Sequence, residues 1–146
     1  MSATGLSVFD TTVQKSNLWL KELMEELGWD QKQKAYDALR AVLHALRDRL
    51  TIEEVAQLGA QLPMLIRGIY YEGWHPTRKP ERMRHKDEFL ARIQKAFKPD
   101  DLIDPEAVAR AVFTVLEKRV SEGEIEDVES VLSTELKELW PVSPRV

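Results

Sequence analysis

The sequence predicts an all-α protein of about seven helices, with two related helical halves packed around one core. Three observations predict it. Apolar residues recur at three- and four-residue spacing along most of the chain, and no run alternates with period two for long enough to make a sheet. The second half also repeats the pattern of the first. Ala41 falls on Ala111, Val42 on Val112, Leu46 on Leu116 and Arg49 on Arg119; after a three-residue insertion, Ile52, Glu53 and Val55 fall on Ile125, Glu126 and Val128. Each copy reads as an apolar helix, a short polar turn and a second amphipathic helix. A unit of that size cannot bury its own apolar face, so the two pack against each other.

The first helix is predicted from Phe9 to Leu27, on the stripe Phe9, Val13, Leu20, Leu23, Met24 and Leu27, with Gly28 as its stop. Asp30 is the expected cap of a second helix running to Leu50. Thr51 and Glu54 have the spacing of a capping box for a third, which carries Ile52, Val55, Leu58 and Leu62. Pro63 opens a fourth, with Leu65, Ile66, Ile69 and Tyr70 inward, and Gly73 ends it. A fifth spans Lys86 to Phe97. Asp104–Pro105 is an N-cap and first-turn pair for the sixth, which Gly123 is expected to break. The seventh carries Ile125, Val128, Val131, Leu132 and Leu136, and the tail from Trp140 to Val146 reads as irregular or frayed.

The chain of 146 residues is read as a single domain, with the repeat spanning 9–73 and 86–140 and a proline-rich basic connector at 74–85. Hydrophobic residues at 43% and charged residues at 32% fit a globular protein rather than a disordered one. The absence of cysteine excludes disulfides, thiolate catalysis and cysteine-bound metal clusters. No secretory signal and no apolar run approaching the ~20 residues of a bilayer span is visible, so a soluble cytoplasmic protein, with no membrane association, is expected. The net charge of −4 is unevenly spread. Arg78, Lys79, Arg82, Arg84 and Lys86 crowd the connector, whereas Glu122, Glu124, Glu126, Asp127, Glu129, Glu135 and Glu138 crowd the end. The two regions are expected to meet within one chain or across two, or to remain solvated faces.

The run from Leu62 to Ile93, LPMLIRGIYYEGWHPTRKPERMRHKDEFLARI, resembles the middle of the bacterial and archaeal family known as domain of unknown function 2267. The resemblance rests on Tyr70-Tyr71-Glu72-Gly73-Trp74, then Pro76 and Pro80, then the Arg84-to-Leu90 stretch, and extends roughly from Phe9 to Pro141. It implies an all-helical, internally duplicated protein and carries over no catalytic residue.

No phosphate-binding glycine loop, no H-E-x-x-H and no G-x-S-x-G is present, and no serine neighbours a histidine, so no enzyme activity is indicated and no cofactor is implied. The one cluster with chemical potential is the connector. His75 and His85, with Glu72, Asp87 and Glu88 near them, are metal-ligand types. They lack paired helical spacing, and the two acids suit the start of the fifth helix better, so no metal site is assigned. Basic residues interleaved with Tyr70, Tyr71 and Trp74 also suit a nucleic-acid strand, but a pI of 5.5 opposes a polyanion. The readings that remain are a structural or protein-interaction module, with a protein partner or self-association open, and a small-ligand or metal-binding protein using the seam between the halves near Tyr70, Trp74 and His85. The candidate positions are Tyr70, Tyr71, Trp74, His75, Arg78, Arg82 and His85. Trp74 is expected to be at least half buried as a lid on that seam.

Overall fold

The computed structural model describes residues 2–76, 80–82 and 84–141, and among these the regular secondary structure is entirely helical. The eight helices are α1 (Ser7–Leu27), α2 (Lys32–Arg47), α3 (Ile52–Ala60), α4 (Met64–Tyr71), α5 (Lys86–Lys95), α6 (Pro105–Arg119), α7 (Glu122–Ser130) and α8 (Thr134–Lys137). No helix among the described residues is long and apolar enough to cross a membrane.

α2 and α6 pack on each other, and both touch α1 and α5, so these four helices enclose one continuous core. The apolar stripes explain the choice of faces. Leu39, Val42, Leu43 and Leu46 on α2, and Val108, Val112, Phe113 and Leu116 on α6, are all buried. α3 packs on α7, α4 on α1 and α2, and α8 on α5.

Helix ends follow side-chain chemistry at several positions. Asp104 accepts from the backbone N–H of Glu106 and Ala107 ahead of Pro105, as the sequence predicts. The Thr51 hydroxyl accepts from Glu54 N–H and the Ser121 hydroxyl from Glu124 N–H, each at 3.3 Å. Gly73 has φ of +78°, the left-handed conformation that lets the chain leave α4 without strain. Asp30 makes no cap; the N-cap of α2 is Gln31.

Several sequence-based expectations are corrected. The overlay with a three-residue insertion placed Ile52 on Ile125, yet Ile52 is 54% exposed and Ile125 is fully buried. Caps and burial instead agree between positions seventy residues apart, with no insertion. The caps Thr51 and Ser121 correspond, as do the nine-residue helices α3 and α7. Both members are buried in the pairs Trp19/Phe89, Leu23/Ile93, Val55/Ile125, Leu58/Val128, Leu62/Leu132, Ile66/Leu136 and Tyr70/Trp140. The insertion matched letters, whereas burial follows the turn that each cap fixes. Gly123 does not break α6, which ends in the extended backbone of Val120; it is the second residue of α7. The predicted seventh helix is two helices, because Ser133 accepts from Leu136 N–H and starts α8 anew. Leu65, predicted inward, is 47% exposed.

Trp140 is the largest correction. Predicted to begin a frayed tail, it is 3% exposed, and its ring stacks on Phe113.

Candidate functional site

The connector is organised from α2. Arg47, 4% exposed, donates from Nη1 to the carbonyls of Tyr70 and Glu72, 2.8 Å each, and from Nε to Asp48 at 2.8 Å. It thereby satisfies carbonyls at the end of α4 that the helix itself leaves open. Arg92 joins Asp48 to Glu81, and Glu81 N–H donates to the Asp48 carbonyl at 2.7 Å, which pins the connector to the end of α2. Burial pushes the Asp48 carboxyl upward, but its bonds to Arg47 and Arg92 outweigh that and hold it below the usual carboxylate range. Half-buried His44 is held below the ordinary histidine value, first by burial, and its Nε2 lies 2.7 Å from the Ile69 carbonyl. A neutral ring donating from Nε2 fits both facts.

Most of the predicted site residues are used for packing. Tyr70 is fully buried and its hydroxyl donates to the Val55 carbonyl at 2.8 Å; burial raises that phenol further above its ordinary value. Tyr71 meets Tyr70 edge-on at 5.0 Å, and Trp74 packs on Tyr71 at 5.5 Å. Trp74 is partly buried against the core, in line with the role expected of it. His75 and Trp74 share a cavity of about 50 Å³ with Arg47, Asp48, Pro80 and Glu81. Arg82 is exposed, and Arg78 lies outside the described residues. His85 is engaged elsewhere. Its Nδ1 lies 3.2 Å from Glu135 Oε2, which also accepts from Lys86 N–H at 2.8 Å, while the Ser133 hydroxyl donates to the Arg84 carbonyl. The basic connector and the acidic end therefore do meet within one chain, through backbone groups and an imidazole. Among the described residues no three His, Asp or Glu side chains are grouped to hold a metal ion.

The open surface lies on another side of the molecule. A groove of about 640 Å³ runs between the N-terminal half of α1, the α3–α4 turn and the end of α6. Val8, Leu18, Leu62 and Met64 supply apolar lining, Lys15, Arg67 and Arg119 supply charge, and no carboxylate lines it. Arg67 donates to the carbonyls of Gly59, Ala60 and Leu62, capping α3, and Arg119 pairs with Glu22. One signal for this groove was present in the sequence. Val8 and Leu18 are apolar yet lie off the predicted stripe of α1, on a face that two neighbouring helices leave open.

A second feature escaped the sequence reading. Where α3 packs on α7, Glu54 Oε2 and Glu124 Oε1 are buried and have no hydrogen-bond partner. Burial raises the Glu124 carboxyl to about 7, and the charges of Glu54 and Asp127 push in the same direction. Glu54 is raised by burial, then by Asp127 and Glu53. Both residues are the third of their helices, so the cap spacing of Ser121 and Glu124 was the available signal.

These features define a helical protein with a connector pinned to α2, an open apolar groove edged by cations, and a buried carboxyl pair. The model of the family described as uncharacterized conserved protein, DUF2267, matches residues 16–139, and the chain belongs to that family. No curated protein matches it.

Proposed function

We propose that the protein is an interaction module built from two copies of one helical unit, and that it binds a partner protein through the groove on α1 and α4. Duplication is supported by the constant spacing of seventy residues across caps and buried positions. The arrangement of contacts also agrees, since α1 on α2 and α6 is matched by α5 on α6 and α2.

The observation that carries the binding reading is where the open space lies. Among the described residues, the cavity beside Trp74 and His75 is about 50 Å³, room for a water or two, whereas small-molecule sites run to several hundred Å³. Val8, Leu18 and Met64, each about half exposed, instead line the open groove between α1 and α4. The test is purification of the tagged wild type and a Leu18→Asp/Met64→Asp variant from the native host, followed by native mass spectrometry. A protein held by the wild type and lost by the variant is expected. A stoichiometric small molecule or metal ion held equally by both would overturn the reading in favour of a ligand-binding protein.

A further inference from the structure

We infer that the groove receives an amphipathic α-helical segment of a partner protein, with glutamate or aspartate flanking its apolar anchors. The inference rests on the interaction-module reading and specifies its partner.

Length argues for a helix. Val8, Lys15 and Leu18 lie along one side of α1 and span about 15 Å, nearly three turns, which is the reach of a helix that docks through residues one and two turns apart. Among the described residues this part of α1 has no helical counterpart seventy residues on, where α5 starts at Lys86, level with Ser16. Val8, Leu18 and Met64, each about half exposed, make the apolar lining longer than a small anion would cover.

Charge argues for acids. The chain carries 25 acidic and 21 basic residues, yet three cations and no carboxylate line the groove. Arg119 is already paired to Glu22, but among the described residues neither Lys15 nor Arg67 has a carboxylate partner. An apolar or basic segment seated there would strip water from those cations and return nothing. An acidic one would restore the lost interaction and steer the approach.

The test measures fluorescence anisotropy with the full chain and three labelled peptides of equal length. One is a leucine-faced helix flanked by glutamate, one has lysine in place of each glutamate, and one scrambles the first. The glutamate peptide should bind, weaken as salt is raised, and lose about tenfold in affinity with Lys15→Glu. Leu18→Asp/Met64→Asp should abolish binding while circular dichroism stays unchanged. Equal binding of the lysine or scrambled peptide, no binding of the glutamate peptide, or indifference to the variants would overturn the inference. So would a concentration-dependent dimer, or adsorption to phosphatidylglycerol vesicles, that the same variants abolish; the occupant would then be a second copy or a lipid surface. If the glutamate peptide fails while Leu18→Asp/Met64→Asp still releases the native partner, only the partner's chemistry is wrong. If both fail, the module reading falls as well.

Discussion

The rings of Phe113 and Trp140 lie parallel, with centroids 4.1 Å apart and planes 1° from coincidence, joining the end of the described chain to the middle of α6. Phe113 is 1% exposed and also meets Phe89 of α5 at 6.1 Å, so Trp140 completes an aromatic column through the second half. Tyr70, seventy residues earlier, is held by a different device, donating its hydroxyl to the Val55 carbonyl.

Trp140→Ala should therefore destabilise the fold by about 3–5 kcal/mol, as large-to-small changes in a packed core do. Trp74→Ala should cost less, because Trp74 is only partly buried and packs on Tyr71. Urea midpoints of the two variants give the comparison, and a smaller loss for Trp140→Ala would refute the role of the column.

Arg47→Met should cost about 3–5 kcal/mol, because it leaves the carbonyls of Tyr70 and Glu72 unpaired and removes one of the two cations on Asp48. The Asp48 carboxyl should titrate higher in the variant, which NMR titration would read directly.

Between pH 5 and 8 the Glu124 carboxyl should withdraw stability from the wild type as pH rises. The folded state holds the Glu124 proton to about 7, whereas the unfolded chain releases it near the ordinary glutamate value of 4.5. The contribution is complete below 4.5 and gone above 7, with a ceiling of about 3 kcal/mol. Carboxylates held low, such as Asp48, stay ionised in this window, whereas His44, held below the ordinary histidine value of 6.5, adds stability as pH rises and offsets part of the loss. Glu124→Gln should flatten the slope, as denaturant midpoints at several pH values would show; an unchanged slope would assign the effect elsewhere.

Gly59→Ala should destabilise, although alanine is the better helix former by about 1 kcal/mol. A Cβ there would sit 2.5 Å from the Tyr71 hydroxyl oxygen and 2.8 Å from Cζ, so the ring must move and disturb its contact with Trp74. Tyr71→Ala should cost less in the Gly59→Ala background than in the wild type. Equal costs would mean that the two sites are independent.

The sequence by itself determined the elements that depend on neighbours along the chain. Helical spacing of apolar residues placed all the main helices. Thr51 and Asp104 marked two starts correctly, because a cap is made within three residues of the backbone it satisfies. Pro63 marked a third through its fixed φ of −57° rather than a side-chain bond. Tyr70 and Trp74 were legible as packing residues, whereas Tyr71 was read only as a candidate contact for a ligand or partner. What only the tertiary structure decided depends on residues far apart. The groove is assembled from residues 7–19, 60–67 and Arg119, and its openness comes from helices that do not cover it, which no local pattern records. Trp140 looked frayed because two prolines follow it, yet its burial is set by Phe113, twenty-seven residues earlier. Glu54 and Glu124 read as ordinary surface carboxylates on their own helices. The packing of α3 on α7 buries them, and desolvation there raises both.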